Sequence, residues 1–501
     1  MKKVLCAAAM AVAILPAAAE GYQVNTYSAK QLGMGHVGTA MKLGAESQVF
    51  NPAAMVFSNK TMELSGALTA IKSEASATVD NGTKYTTSSK VSTPMNISAS
   101  FRIYDNLYAG VTLFTPYGSS INWGRSWPGA LLNQSVDLKI FTVQPTFSWK
   151  ILPNLSVGAG LMIAWGDVNL NKGLVSASSM DKVLELQYQA DLLKYNVAKA
   201  QAALTGQPFD APAPAEPTMK YGEVPPASVN LNGHSELALG VNVGAMWDIN
   251  SKVTVGASFR SKMKMHVKAG DAQVSYADEQ ARLILAKTLD NLNYTNFDAS
   301  MPAPYVLSVG VAYKPIDKLL LAFDAQLTGW GTYDFLDFSF DHLPDFNQHL
   351  VKDYKNSWTF HLGGQYAMTD RLDLRAGLML DLTPCNKNFY NPETPGMTRV
   401  EPSVGLSFRP IKNLSIDLAF MYVHGCGNKG TGEYSDFMAG TFNKGLDEYN
   451  KGVAAFNQVL GAYGLPAYKG AEFEELPANG KFSADYRVKA LIPAVGISYS
   501  F

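Results

Sequence analysis

The sequence is short of three things, and each shortage removes a class of protein. It carries 3 cysteines in 501 residues, too few for a fold stapled by disulfides. One of them, Cys6, lies close to the N-terminus, which leaves Cys385 and Cys426. Both fall just beyond expected strands, so two free thiols are the plain expectation and one disulfide between neighbouring loops is the alternative. Charge of either sign is also scarce: 41 Lys plus Arg stand against 42 Asp plus Glu, for a net charge of −1. That balance leaves no basic footprint for nucleic acid. Beyond the N-terminus, finally, no apolar run approaches the ~18 residues of a transmembrane helix.

What is present begins with a leader. Lys2 and Lys3 are followed by the apolar stretch Val4 to Leu15 and by the small residues Ala17, Ala18 and Ala19. This is the pattern of a secretory signal peptide, residues 1–19, cleaved after Ala19. Its apolar core is too short to span a bilayer. No Cys follows the cleavage site, so Cys6 does not mark a lipoprotein. An exported chain with neither a disulfide framework nor a helical anchor needs another way to be held together.

Period-two alternation supplies it. Leu372, Leu374, Ala376, Leu378 and Leu380 alternate with Asp373, Arg375, Gly377, Met379 and Asp381. The same holds for Leu414, Ile416, Leu418, Phe420 and Tyr422, and for Trp358, Phe360 and Leu362. Successive strand side chains point to opposite faces, so each stretch has one apolar and one more polar surface. Many stretches run to ~10 residues or more, the length that crosses a bilayer at a tilt. Arg260, Asp324, Arg375 and Asp417 lie in the middle of such stretches; they are costly against lipid but tolerable in a hydrated lumen.

The punctuation has two kinds. Short turns occur at Asp105-Asn106, Leu152-Pro153-Asn154, Asn250-Ser251, Ile316-Asp317-Lys318, Thr369-Asp370-Arg371 and Ile411-Lys412-Asn413. Long connections fall at 74–92, 117–135, 172–233, 270–300, 334–356, 385–398 and 426–485. Short periplasmic turns opposite long extracellular loops predict an all-β transmembrane barrel of about 14 antiparallel strands over residues 61–501. The last strand, Pro493, Val495, Ile497, Tyr499 and Phe501, ends on an aromatic. That ending resembles the signal read by the barrel assembly machinery, and outer-membrane lipid and lipopolysaccharide are the expected surroundings.

Three loops carry helical spacing. Leu186, Ala190, Leu193, Val197, Ala200 and Leu204 form one stripe, stopped by Gly206 and Pro208. A Pro-rich return runs from Pro208 to Pro226. Ala281, Leu285, Leu289 and Leu292 form a second stripe, and Leu446, Tyr449, Val453, Phe456 and Leu460 a third. The stripes are expected to pack on one another as a roof, and one reading adds a groove among them where a greasy ligand lands.

Residues 20–60 lack any strand of spanning length and are rich in Gly, Ala and Ser. Small residues allow close backbone packing, so this segment is expected inside the lumen as a plug. Its residues carry a resemblance. Gly21-Tyr22-Gln23-Val24-Asn25, Ser28-Ala29, Leu32-Gly33 and above all Phe50-Asn51-Pro52-Ala53 resemble the N-terminal hatch of the FadL/TodX family of outer-membrane transporters. Thr115-Pro116-Tyr117-Gly118, Leu327-Thr328-Gly329-Trp330 and Tyr422-Val423-His424-Gly425 extend the match along the chain. Ala54 stands where the family often has Gly. The resemblance implies passive, hatch-gated movement of long-chain fatty acids or hydrocarbons, with Phe50, Asn51, Pro52 and Ala53 in the gate. It also implies lateral release at a kink in the third strand, Leu107 to Thr115, with Gly110 and Pro116 as candidate weak points.

Candidate ligand contacts are Leu186, Leu193, Val197, Leu285, Leu289 and Phe114. Arg102, Arg260 and Arg375 are the lumenal cations that could meet a carboxylate. No cofactor or metal is expected, the loop residues His342 and His349 reading as solvated, and the chain is expected to be a monomer. Other functions stay open on the residues alone. A receptor, adhesin or general pore would fit the long loops, and a soluble secreted β-protein would also alternate. An enzyme lacks support, since neither a nucleophile elbow nor a His-Glu-x-x-His motif occurs.

Overall fold

The computed structural model describes residues 21–217 and 221–501; the predicted signal peptide lies outside them. Fourteen antiparallel strands close into a ring in chain order. They are β1 (Met62–Thr69), β2 (Met95–Tyr104), β3 (Leu107–Asn122), β4 (Ser135–Leu152), β5 (Leu155–Gly173), β6 (Ala238–Asp248) and β7 (Val253–Arg260). The second half comprises β8 (Val306–Ile316), β9 (Leu319–Thr328), β10 (Ser357–Thr369), β11 (Leu372–Asp381), β12 (Arg399–Ile411), β13 (Leu414–Gly425) and β14 (Asn479–Ser500). Closure is made by β1 against β14, with Leu68 opposite Val495. A closed ring pairs every strand inside the bilayer, which an open sheet cannot do.

The alternation expected from the sequence appears with burial inverted. On β11, Leu374 is 41 % exposed while its neighbour Asp373 is 3 % exposed. Every strand places a large apolar side chain outward: Leu64, Ile97, Val111, Phe147, Leu161, Val243, Phe259, Val309, Phe323, Leu362, Leu374, Val404, Leu418 and Val495. A continuous belt of this kind would be an aggregation surface in water and is the required outer face in lipid.

The six short turns join strands at one end of the barrel, as their spacing predicts. At the other end the long connections are less loop-like than expected. β3 runs through Pro116 to Asn122 rather than stopping at Thr115. Lys72–Thr78 and Asn428–Ser435 lengthen the wall by pairing with β14, and Ala227–His234 pairs with β5 and with Met263–Tyr276. Hairpins satisfy backbone groups that a bare loop would leave to water.

Residues 21–60 fill the lumen with short helical turns, Ala29–Leu32, Gly44–Glu46, Ser47–Phe50 and Pro52–Phe57. The wall supplies the partners that this irregular backbone lacks. Asp324 of β9 accepts from the amides of Gly38 at 2.7 Å and Thr39 at 2.8 Å. Ser403 Oγ accepts from Gly35 N at 2.9 Å, and Ser148 and Ser156 donate to the Ala53 carbonyl at 3.1 and 2.8 Å. Close approach needs bare wall: a Cβ on Gly377 would overlap the backbone of Gly35. The inward charges meet this segment, and Arg375 also borders an open polar space at the short-turn end of the barrel. Asp324, Arg375 and Asp417 are buried against this segment, and the Arg260 guanidinium sits 5.9 Å from the Tyr27 ring centre.

The three stripes form three helices, α1 (Ala177–Thr205), α2 (Glu279–Leu289) and α3 (Ala439–Ala462). α1 ends on Gly206 with φ of 69°, a left-handed cap that only glycine takes at no steric cost. Leu186 and Leu193 of α1 pack with Phe442, Leu446, Tyr449, Phe456 and Leu460 of α3. α2 departs from the expected mutual packing. Asp278 caps it where the strand Met263–Tyr276 ends, so Ala281, Leu285 and Leu289 turn down onto the wall cluster with Val229 and Val274. Tyr221 of the return segment donates to Asp278 at 3.2 Å, and burial beside that carboxylate pushes its phenol up to about 12. Cys385 and Cys426 are free thiols.

Candidate binding cavity and side gap

Above the lumenal segment, the inner faces of β4 and β5 meet Met263–Tyr276, Asn296–Ala303 and Phe335–Phe340 around an apolar cavity. Leu138, Ile140, Leu170, Leu231, Met265, Val267, Phe297, Met301, Leu336 and Phe338 line it. A second apolar space lies beneath the roof between Leu292, Phe346 and Phe437, and shares Leu170, Leu231, Phe338 and Glu393 with the first. Two lysines reach this otherwise greasy region. Lys352 is buried and paired with Glu393. Lys172, at the top of β5, is also buried and donates to the neutral Gln348 Oε1 at 2.7 Å. Two ammonium groups share the Glu393 carboxylate, and the cavity's other acid, Asp167, is engaged by His234 at 2.7 Å, so among the described residues the Lys172 ammonium has no carboxylate in direct contact.

The floor is Tyr22. Its hydroxyl donates to the Pro302 carbonyl, and its ring meets Trp330, Tyr333 and Tyr117 with centroids 4.8, 5.8 and 6.0 Å away. The backbone around it lies along β3 as a short extra strand, with Val24 N donating to Pro116 O and Gly118 N donating to Tyr22 O, both at 2.9 Å. Three segments far apart in the chain thus converge: Gly21–Val24, Thr115–Gly118 and Leu327–Trp330.

That extra strand covers a flaw in the wall. β2 pairs with β3 only as far as Asn96 opposite Phe114. Across Thr115 and Pro116 the register of β3 on β4 slips, from Phe114 opposite Thr142 to Tyr117 opposite Ile140. Proline has no N–H to give a neighbouring strand, and a bulge turns the chain aside. The β2 side of β3 is next held at Asn122, whose carbonyl accepts from Ser88 N at 2.8 Å. In between, a side chamber opens, flanked by Ile71, Ser92, Thr93 and Pro94 on one edge and Ser119, Ser120 and Ile121 on the other. It reaches inward to Met379, Arg399 and Glu401. The lumenal segment, through Gly21 to Val24, lies between chamber and apolar cavity, which also share Ser119, Leu138 and Thr394 as lining.

The residues named from sequence fall unevenly around this geometry. Asn51 is fully buried; its amide donates to Thr39 O at 2.8 Å and to the wall carbonyl of Ala245 at 3.0 Å, while its Oδ1 accepts from Ala53 N at 3.0 Å. Phe50 packs on Tyr27, Pro52 lies on Gly158, and Ala53 and Ala54 are buried with Met246. Pro116 sits at the register slip. Gly110 does not: it pairs regularly with Ser100 and Thr146, and its bare Cα makes room for Gln48 of the lumenal segment.

None of Leu186, Leu193, Val197, Leu285, Leu289 and Phe114 lines the apolar cavity. The helix stripes are spent on helix and wall packing, Val197 is exposed, and Phe114 is buried edge-on to Tyr27 at 5.4 Å. Nor do the three arginines reach it. Arg102 sits at the short-turn rim 3.7 Å from Asp105, Arg260 faces Tyr27, and Arg375 lies 3.6 Å from Asp417. The residues passed over are Tyr22, Tyr117 and Trp330, quoted only as parts of motifs, and Lys172, the cation between Leu170 and Leu174 at the end of β5.

A closed barrel with an apolar belt, a filled lumen and an apolar cavity above it defines an outer-membrane transporter of hydrophobic compounds. The profile of the outer membrane protein transport protein family (OMPP1/FadL/TodX) matches residues 9–455, and the chain belongs to that family. It is 24 % identical to an outer membrane protein of Neisseria meningitidis over 85 % of this chain and 90 % of that one. To the long-chain fatty acid transport protein of Escherichia coli it is 20 % identical, over 84 % of this chain and 91 % of that one. The crystal structure of a Pseudomonas aeruginosa FadL homologue superposes with a TM-score of 0.69 at 17 % identity, covering 96 % of this chain and all of that one.

Proposed function

We propose that the cargo is an amphiphile with a long apolar tail and an acidic head, a long-chain fatty acid in the first instance. The observation that carries this reading is the ammonium of Lys172, without a carboxylate in direct contact at the edge of an apolar cavity. A tail gains about 0.8 kcal/mol per buried CH₂, and a buried cation without a counter-ion is costly until an anion joins it. A neutral hydrocarbon would leave that cost in place. The name of the Escherichia coli relative, at 20 % identity, points the same way.

In this reading the cargo enters between the roof helices and the wall, settles above Tyr22, and leaves when residues 21–24 lift from β3. Residues 21–60 act as the hatch, with Phe50, Asn51, Pro52 and Ala53 as the fixed part that keeps the rest docked. Release runs sideways at the Pro116 bulge into the outer-membrane lipid. A filled lumen disfavours a general pore. The belt implies contact with lipid and lipopolysaccharide, Phe501 fits recognition by the assembly machinery, and one barrel holds the whole path, so a monomer suffices. The test is uptake of labelled palmitate by cells without their own transporter. A correctly inserted barrel that gives no uptake above the empty membrane would overturn the acid-cargo reading.

A further inference from the structure

The strand Met263–Tyr276 has two unlike faces. Met265 and Val267 turn inward and line the apolar cavity. Lys264, His266 and Lys268 alternate with them on the outer face, and Lys262 is exposed just before the strand begins. Beside them run Leu239 of β6 and Leu237 just before it, 65 % and 69 % exposed. Two backbone bonds fix this neighbourhood: Ser261 N donates to Val241 O and Glu236 N to His266 O, both at 2.8 Å. At the same height, one residue past the pairing of Ala164 with Ala238, Trp165 stacks on Phe141 with centroids 6.2 Å apart. Aromatic pairs and the last exposed leucines mark the edge of a barrel's apolar belt. The lysines therefore stand where hydrocarbon gives way to headgroups.

Pairing sets this patch apart from the rest of the outer wall. Elsewhere Lys139, Lys429, Lys481 and Lys489 each meet an acid, at 3.1, 3.2, 2.9 and 3.0 Å. Among the described residues, Lys262, Lys264 and Lys268 have no ion-pair partner. The acids on this face are engaged by other groups: Asp167 by His234 at 2.7 Å, Glu236 by His266 at 3.2 Å, and Asp298 by the Ala269 amide at 2.8 Å. Asp271 lies beyond the register shift between Val267 and Gly270. Residues two apart on one strand face are about 7 Å apart, so two lysine heads can close on one phosphate. We propose that this patch holds the phosphorylated head of lipid A from the outer leaflet, with its acyl chains along Leu237, Leu239 and Trp165. Ammonium and phosphate form charge-assisted bonds that a neutral head cannot. The bound lipid braces the strand whose other face is the cavity wall. This rests on the outer-membrane setting with the long connections outward, and it is independent of the acid cargo.

The test heats the detergent-solubilised barrel with rising lipid A, divalent cations chelated, and reads unfolding from heat-modifiable migration on gels. The quantity compared is the lipid A concentration that gives half-protection. Combining Lys262→Gln, Lys264→Gln and Lys268→Gln should raise it about a hundredfold, at roughly fivefold per lysine. Lys264→Gln alone should show the single step. Combining Lys429→Gln, Lys481→Gln and Lys489→Gln removes the same charge from paired lysines and should stay within about twofold. Lipid A stripped of its phosphates should protect the parent no better than intact lipid A protects the first triple variant. Equal loss in the two triple variants would reduce the patch to diffuse attraction and overturn the site, as would full protection of the first. Protection of the parent by inorganic phosphate alone, or undiminished protection by the stripped lipid, would remove the phosphorylated lipid head as the occupant.

Discussion

The Tyr22 ring stands edge-on to the Trp330 indole, their centroids 4.8 Å apart at 83°. This contact joins the first described residues of the lumenal segment to the top of β9, and the Tyr22 hydroxyl adds a bond to Pro302. Residues 21–24 are thereby pinned across the gap in wall pairing beside Pro116. A tyrosine in this role gives a latch with large buried area and a polar end that fixes its orientation.

Tyr22→Ala should undo the latch. Loss of a buried aromatic and its ring contacts costs about 3 kcal/mol, most of it borne by the local docking of residues 21–24. The barrel, held by its own ladders, should assemble normally. Hydrogen–deuterium exchange is the readout: amides of residues 22–25 and of Gly118, which donates to Tyr22 O, should exchange about a hundredfold faster. Unchanged exchange at Gly118 would show that the segment is held by something other than Tyr22. Tyr22→Phe, which keeps the rings and loses only the hydroxyl bond, should fall between.

Asn51 makes three bonds from a site with no water access. Asn51→Ala strands the carbonyls of Thr39 and Ala245 and uncaps Pro52–Phe57, a loss of about 3 kcal/mol in docking of the lumenal segment. Asn51→Asp keeps the cap but sets a carboxylate against two carbonyl oxygens, and should be worse than alanine. A single cysteine at Ser47, tested with a membrane-impermeant maleimide from the periplasmic side, should be protected in the parent and labelled in both variants. Protection in Asn51→Asp would mean that the side chain does not hold the segment.

How much of this was legible in the sequence depends on where each signal lives. The wall was: Leu374 and Asp373 alternate because a strand has a period of two, and that needs no knowledge of neighbours. The helices were as well, down to Gly206 as a stop. What could not be read is which surfaces those helices spend on each other. Leu186 and Leu285 look alike in a stripe, yet one packs on α3 and the other on the wall. The cavity is built from β4, β5 and strands inside the presumed loops, a convergence fixed by tertiary pairing alone. Tyr22 and Trp330 are 308 positions apart by their numbers, and only closure of the barrel makes them neighbours. Lys172 was visible as a charge near Leu170 and Leu174, but its lack of a direct carboxylate partner appears only once Lys352 and Glu393 are seen to pair.

Gly377 faces the backbone of Met34 and Gly35 with no room for a methyl group. Gly377→Ala should therefore push the lumenal segment away from β11 without disturbing the β10–β11–β12 ladder, whose pairing there is regular. The expected phenotype is an assembled barrel with a leaky lumen. In planar bilayers the parent should conduct little, and the variant should show steady ion conductance. A silent, assembled variant would mean that the segment yields locally instead of being displaced.

Lys172→Met separates the chemistry of the cargo from the stability of its carrier. The ammonium has a neutral partner, Gln348, and is buried, so replacing it with an apolar side chain of similar length should leave the barrel as stable or more so. The same change removes the charge-assisted bond offered to an acid head, worth about 2 kcal/mol or roughly thirtyfold in affinity. Half-saturating palmitate for uptake should rise by that factor, uptake of the alcohol of the same chain length should hold, and Lys172→Arg should stay near the parent. The two signs matter together. A variant that weakens palmitate and the alcohol alike would point to damaged packing in the cavity. A variant that weakens neither would place the acid head elsewhere and return the cargo to the neutral hydrocarbons that the apolar lining would also accept.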